Sequence, residues 1–225
     1  MGLDERKYYP MKKNTVYHLC ILGLMAALTL LLGLTPVGYI AIGPANLLTL
    51  MCIPVIIGAM ILGYREGLLL GLIFGVTSLL TPVGLWLMGS FPLKTQIPLL
   101  ITIFIPRLLV PVAARAVYDV CRRWPRPLAV GLGAVVGSLT NTALFLGSLY
   151  FICGADVAAY AYKVDVAIIA NVILTVSAVN GLIEAAAAIL VCVPVMAVAN
   201  KLGILSRLNG SAPLRQRRKA YSSPN

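Results

Sequence analysis

Long apolar stretches dominate this chain, and short polar or turn-forming segments separate them. A membrane-spanning helix needs about 20 mostly apolar residues, and six stretches have this character or approach this length. They cover residues 16–34, 45–62, 67–80, 96–118, 128–153 and 166–199. The pattern therefore predicts an all-α integral membrane protein with six transmembrane helices in one bundle.

The composition agrees with this prediction. Hydrophobic residues make up 60% of the chain and charged residues 11%, whereas about a quarter of the residues in a soluble domain are charged. We divide the chain into an N-terminal arm (residues 1–14), a six-helix substrate-binding domain (15–201) and a basic tail (202–225). The expected location is the cell membrane.

Lys and Arg are distributed unevenly along the chain, which has a net charge of +11. They concentrate in the arm, the second and fourth loops and the tail, whereas the other three loops contain only Lys94 and Lys163. Positive residues favour the cytoplasmic side, so both termini are predicted to be cytoplasmic. An even number of spans agrees, because it places both termini on the same side. The basic segment 215–219 is interpreted as binding anionic lipid, and not nucleic acid.

Two ionisable residues, Arg107 and Glu184, lie near the middle of apolar stretches. Each costs at least ~2.5 kcal/mol at the centre of a bilayer, so a ligand, an ion pair or a wet cavity must offset the cost. Asn141 and Asn180 lie at similar depth, and the four residues together predict one ligand chamber. The alternative is a structural network, in which Arg107 pairs with Glu184 and the asparagines hydrogen-bond between helices.

Prolines in the fourth span also indicate a polar site near Arg107. Pro106 and Pro111 have no N–H to donate to the carbonyls of Thr102 and Arg107. The sequence predicts a kinked helix with free carbonyls near Arg107, which need a protein partner or a wet cavity.

Small residues recur every four positions on three spans, and such faces allow close helix packing. These residues are Gly23 and Ala27 on the first span, Gly67, Gly71 and Gly75 on the third, and Gly133 and Gly137 on the fifth. Packing within the bundle is expected for the third and fifth spans. For the first span, contact with another protein is an equally open interpretation.

The sequence also excludes several kinds of chemistry. It has no phosphate-binding loop of the G-x-x-x-x-G-K-[ST] type and no G-x-S-x-G motif. His18 is the only histidine, and no cysteine pair has metal-ligand spacing. We therefore expect no enzyme activity, no catalytic residue, no metal and no cofactor.

Several segments, in this order along the chain, resemble the substrate-binding S components of energy-coupling factor (ECF) vitamin transporters. The motifs are Gly43-Pro44-Ala45-Asn46, Ile53-Pro54-Val55-Ile56-Ile57-Gly58-Ala59, Pro106-Arg107-Leu108-Leu109, Gly137-Ser138-Leu139-Thr140-Asn141-Thr142 and Asn180-Gly181-Leu182-Ile183-Glu184. The resemblance is greatest to the pantothenate-type branch and its unassigned relatives. Members of that branch often carry a histidine where this chain has Met51 and Cys52.

The resemblance implies a subunit that binds a vitamin or related micronutrient outside the cell, with pantothenate as the best candidate. Its implied partners are a membrane scaffold protein, which docks on Gly23, Ala26 and Ala27, and two cytoplasmic ATPases. The two other hypotheses are a proton-coupled secondary transporter that uses Glu184 and a membrane enzyme that acts on lipid-like substrates.

Within such a site, Arg107 is expected to bind a ligand carboxylate. Asn141 and Asn180 are expected to hydrogen-bond its hydroxyl or amide groups. Glu184 either holds Arg107 in place or binds a donor of the ligand. Tyr39 and Asn46 of the first loop are expected to close over the site.

Overall fold

A computed structural model describes residues 13–35, 38–41, 47–156 and 166–208, and within these ranges the chain is almost entirely helical. Eight α-helices and two short strands follow one another along the chain. They are α1 (Lys13–Leu34), β1 (Tyr39–Ala41), β2 (Leu47–Thr49), α2 (Cys52–Leu62), α3 (Tyr64–Leu80), α4 (Pro82–Ser90), α5 (Leu93–Val120), α6 (Arg126–Asp156), α7 (Val166–Lys201) and α8 (Ile204–Leu208). A single 3-10 turn, Cys121–Arg123, connects α5 to α6.

Four of the described helices are long and apolar enough to cross a membrane. They correspond to the first, fourth, fifth and sixth predicted spans, and their apolar segments cover Thr15–Leu34, Leu93–Arg123, Arg126–Ile152 and Ala178–Lys201. The consecutive helices α3 and α4, bent by 65°, make a fifth if the pair crosses as one unit. The chain is therefore a multi-pass helical membrane protein.

The prediction for the second span was wrong at its start. Residues 47–49 form β2, which pairs antiparallel with β1, and the helix begins only at Cys52. An unbroken apolar run does not by itself distinguish a strand from a helix, and here pairing with β1, a few residues earlier in the chain, decides the outcome. The 11 residues of α2 are about 16 Å long at 1.5 Å per residue, and all from Cys52 to Ile61 are buried.

Two features stabilise the C-terminal end of α2, which is predicted to face the cytoplasm. Gly63, the only residue between α2 and α3, has a φ of +125°, which favours glycine. Nη1 of Arg115, on α5, donates to the carbonyl oxygens of Ala59 (3.2 Å) and Met60 (2.7 Å) in the last turn of α2. A cation interacts favourably with the negative C-terminal end of a helix dipole. Arg115 therefore stabilises the packing of α2 against α5. Its Nε also donates to Asp119, one turn further along α5.

The bend after α3 has a local cause. The hydroxyl of Thr81 accepts a hydrogen bond from the Gly84 N–H (3.1 Å), and Pro82 occupies the first turn of α4. Both features start a new helix, so α4 leaves in a different direction from α3.

The glycine stripes of the third and fifth predicted spans pack inside the bundle. A Cβ at Gly67 would lie 2.8 Å from that of Ala59, and one at Gly137 would lie 2.9 Å from that of Ala114. At Gly71 a Cβ would lie 2.6 Å from the carbonyl oxygen of Arg107. Helix α5 is assigned as one helix through its three prolines; a kink in it stays a prediction.

Candidate ligand-binding site

Four polar residues predicted at mid-membrane depth are all buried. Arg107 is 7% exposed, Asn141 4%, Asn180 8% and Glu184 3%. Arg107, Asn141 and Glu184 lie near the midpoints of α5, α6 and α7 respectively. Asn180 lies one turn before Glu184 on α7. That these residues bind a ligand stays a prediction.

The Glu184 carboxylate joins three elements. Its Oε1 accepts hydrogen bonds from the backbone N–H of Thr49 (3.0 Å) and from the Thr49 hydroxyl. Its Oε2 accepts one from the Thr142 hydroxyl at 2.6 Å. An ionised carboxylate can only accept hydrogen bonds. These three bonds connect α7 to the end of the β1–β2 hairpin and to α6.

The Arg107 guanidinium lies between aromatic side chains. Its Cζ is 4.2 Å from the ring centroid of Phe145 and 5.5 Å from that of Phe74. Phe74 is fully buried on α3, and Phe145 lies on α6, one turn after Asn141. Aromatic faces attract cations, so the two rings offset part of the cost of burying Arg107.

Three of the four buried side-chain oxygens that lack a hydrogen-bond partner in the described part of the chain lie near the middles of α5 and α6. They are Thr102 Oγ1, Ser138 Oγ and Asn141 Oδ1. A buried polar group without a partner costs about 1–3 kcal/mol. Hydrogen-bond donors from a ligand or from water would remove that cost.

Among the described residues, no ion pair within 4.0 Å joins Arg107 to Glu184. The ion pairs that the described residues form within this distance join Asp119 to Arg115 and Arg122, and Glu66 to His18. The hydrogen bonds described for Glu184 come from threonines. Glu184 lies near the start of α2, because it accepts from the Thr49 N–H, and the thiol of Cys52, the first residue of α2, donates to the Thr49 carbonyl oxygen at 3.6 Å.

The other predicted site residues lie partly outside the described part of the chain. Asn46 is outside it, and for Tyr39 only the backbone, in β1, is described. On α1, Gly23 and Ala27 are exposed, and a Cβ at Gly23 would meet no atom within 4 Å. Ala26 is partly buried and packs against the apolar core, so only two of the three predicted docking residues are fully open.

Sequence reasoning missed Thr49 and Thr142 as partners of Glu184. The predicted second span includes Thr49 in a continuous helix, so its position at the end of a strand could not be inferred from the sequence. Thr142 follows Asn141 in a short polar run, 138–142, which was the available signal. The rings around Arg107 left no sequence signal, since a phenylalanine in an apolar helix is unremarkable.

The described residues do not offer a metal site. No group of three or more His, Cys, Asp or Glu side chains comes together in the part of the chain that the structure covers. The chemistry available at the site is therefore recognition by one cation, one carboxylate and several hydroxyl and amide groups.

Comparison with known proteins gives two similarities. Residues 18–196 match the family described as "ECF transporter, substrate-specific component". The chain is also 33% identical over 156 residues to the pantothenic acid transporter PanT of Lactococcus lactis subsp. cremoris (strain MG1363). That alignment covers 64% of this chain and 78% of the relative.

Proposed function

The chain belongs to the family of substrate-specific components of ECF transporters, and from this membership and the site we propose that it captures pantothenate outside the cell. Partner subunits would then drive uptake with ATP. The similarity to a pantothenic acid transporter supports this substrate. Neither a proton-coupled carrier nor a lipid-modifying enzyme has an observation in its favour, and the proposal contains no catalytic step.

The buried guanidinium of Arg107 is the observation that carries the proposal. Pantothenate has one carboxylate, two hydroxyls and one amide N–H. Arg107 would bind the carboxylate, because a planar guanidinium forms two parallel hydrogen bonds with a carboxylate. The unpaired oxygens of Thr102, Ser138 and Asn141 would accept from hydroxyl and amide donors of the ligand. Asn180 would contribute a further amide at the same depth.

Glu184 has a supporting role in this proposal. Its hydrogen bonds to Thr49 and Thr142 support an assignment in which it holds the hairpin and α6 in place. Its negative charge also partly balances Arg107 in the same region. Tyr39 and Asn46 would close the first loop over the ligand.

The proposed partners are an ECF membrane scaffold protein and two cytoplasmic ATPases. The exposed small residues Gly23 and Ala27 of α1 would let a scaffold helix approach closely, with Ala26 at the edge of the contact. The sequence has no phosphate-binding loop of its own. ATP hydrolysis would therefore belong to the partners.

We propose six membrane crossings with both termini in the cytoplasm. The second crossing would combine β2 with α2, since α2 alone is shorter than the ~30 Å hydrocarbon core. Basic residues at the junction of α5 and α6 and at the end of α7 support the orientation. Among them, Arg126 donates a hydrogen bond to Asn200, so these helix ends meet on one side of the bundle.

Binding of radiolabelled pantothenate to the purified full-length protein tests the proposed function. Arg107→Ala should weaken binding by about 10- to 150-fold, the value of a hydrogen-bonded charge contact. Arg107→Lys should recover only part of this, because an ammonium keeps the charge but loses the planar fork. Arg123→Ala, at an exposed position, is the control and should bind normally. Unchanged affinity in Arg107→Ala would remove Arg107 from the site.

A further inference from the structure

Basic side chains gather at the junction of α5 and α6. Arg122 and Arg123 lie in the 3-10 turn after α5, Arg126 is the first residue of α6, and all three are exposed. Arg126 also donates a hydrogen bond to Asn200 near the end of α7, and the next residue, Lys201, is exposed as well. Two separate parts of the chain therefore bring these four cations to one end of the bundle.

The acidic residues near this cluster in the sequence do not neutralise it. Between Arg107 and Asp156 the only acid is Asp119, and no acid follows Glu184. The Oδ2 of Asp119 accepts from Arg115 at 2.8 Å, and its Oδ1 lies 3.8 Å from Nη1 of Arg122. A surface with this excess of positive charge attracts anions.

Large apolar side chains alternate with the same cations along the chain and are also exposed. They are Val120 (80%), Trp124 (54%), Leu128 (48%) and Leu202 (64%). At the end of a membrane-spanning helix such side chains contact acyl chains, and tryptophan commonly lies at the level of the headgroups. A soluble anion would use the cations alone, whereas an anionic phospholipid has a phosphate for the arginines and acyl chains for the apolar side chains.

We infer that the α5–α6 junction and the end of α7 form a binding site for the headgroup of an anionic phospholipid. Arg122, Arg123, Arg126 and Lys201 bind the phosphate in this site, and Trp124 lies where the headgroup meets the acyl chains. The site is distant from the proposed pantothenate site, since 13 residues of α5, about 20 Å, follow Arg107. It therefore does not depend on which solute the chain captures.

The two tryptophans of the chain allow each end of the bundle to be observed separately. Trp86→Phe leaves only Trp124, and Trp124→Phe leaves only Trp86. Trp86 lies on α4, which contacts the start of α5 where Gln96 donates to the Met88 carbonyl oxygen at 3.5 Å. Trp124 follows the other end of α5, a helix of 28 residues and about 42 Å.

The test measures quenching of tryptophan fluorescence by brominated lipids around the full-length protein. The bilayer is phosphatidylcholine with a small fraction of phosphatidylglycerol, and either the phosphatidylglycerol or the same fraction of phosphatidylcholine has brominated acyl chains. Trp124 should show at least about a fivefold preference for phosphatidylglycerol, the effect of one basic residue at a membrane surface. Trp86 should show no preference.

Charge-removing variants locate the site. Arg122→Gln and Lys201→Gln each remove one cation from a different part of the site, and the two together should reduce the preference at Trp124 to less than about twofold. Arg65→Gln is the matched control, because Arg65 is an exposed cation at the start of α3, outside the cluster and followed by Glu66. This variant should keep the wild-type preference.

Equal quenching of Trp124 by the two lipids in otherwise wild-type protein would overturn the inference. So would a preference that survives in the Arg122→Gln, Lys201→Gln variant but disappears when Arg215, Arg217, Arg218 and Lys219 are changed to glutamine, since the lipid would then bind the tail. Loss of the preference in excess inorganic phosphate at constant ionic strength would indicate a site for a free anion, and would also overturn it.

Native mass spectrometry provides a second measurement that needs no tryptophan substitution. The wild type should retain phosphatidylglycerol in preference to phosphatidylcholine, and the Arg122→Gln, Lys201→Gln variant should not. Equal retention by the two proteins would overturn the inference. Loss of lipid binding with normal pantothenate binding would leave the proposed function intact, because that function is tested separately by the Arg107 variants.

Discussion

Thr142 provides the only donor described for Oε2 of Glu184, at 2.6 Å, and its side chain is almost fully buried. Thr142→Val keeps the shape of the side chain and removes that donor. A hydrogen bond to a charged group contributes about 1.5–3 kcal/mol, so the melting temperature of the purified protein should fall by roughly 3–10 °C. The measurement is a thermal unfolding scan in detergent.

Thr140→Val is the control for this prediction. The Thr140 hydroxyl donates to the carbonyl of Val136 on its own helix, and the residue is only partly buried. Its removal leaves no buried charge without a donor, so the melting temperature should change little. Equal shifts in the two variants would argue against a structural role for the Thr142–Glu184 contact.

Sequence reasoning found the charges of the site but not their partners. A charged residue in an apolar stretch is costly and therefore conspicuous, and this is how Arg107 and Glu184 were identified. Threonine is different, because its hydroxyl can bond to its own helix, as Thr29 does to the carbonyl of Met25. A threonine that instead reaches another helix, such as Thr142, cannot be distinguished before the helices are placed.

Close contact between α3 and α5 depends on Gly71. Because Pro111 has no N–H, the carbonyl of Arg107 lacks its usual helical donor, and that carbonyl oxygen lies 2.6 Å from where a Gly71 Cβ would be. Gly71→Ala would place a methyl group against backbone and must displace the turn that carries Arg107. We expect a lower melting temperature and weaker pantothenate binding, measured on the same sample.

Gly23→Ala is the matched control, since a Cβ there meets no atom within 4 Å. Alanine is also the better helix former, by about 1 kcal/mol. The isolated protein should therefore keep or slightly raise its melting temperature and keep its affinity for pantothenate. Wild-type behaviour of Gly71→Ala would show that α3 and α5 are not in the close contact described above.

The predicted helices differ in how well the sequence defined them. Helices α1, α5, α6 and α7 were predicted because each one contains a long apolar segment bounded by turn or charged residues. The third span was predicted to end near Leu80, and α3 does so, because Thr81 and Pro82 mark the boundary. The start of α2 was missed because β2 exists only through its pairing with β1.

The two ends of α2 have different contacts in the folded chain. Glu184 lies near the start of α2 through its hydrogen bonds with Thr49, and Arg115 donates to a carbonyl oxygen at the other end of that helix. Charge counting along the sequence predicts the sidedness, which stays a prediction, and gives no information on these contacts at the ends of α2. Which helix ends meet, such as those of α6 and α7 through Arg126 and Asn200, depends on packing of the folded chain.

A division of labour between this chain and its partners leads to a transport prediction. In liposomes that contain only this chain, pantothenate should bind but not accumulate, with or without a proton gradient, because the proposed energy source, ATP hydrolysis, belongs to the partners. Co-reconstitution with an ECF scaffold and its two ATPases should give ATP-dependent accumulation of radiolabelled pantothenate. ATPases with a substituted phosphate-binding lysine are the control and should abolish uptake while binding persists.

Accumulation by this chain alone under a proton gradient would instead support a secondary transporter, in which case Glu184→Gln should abolish that uptake.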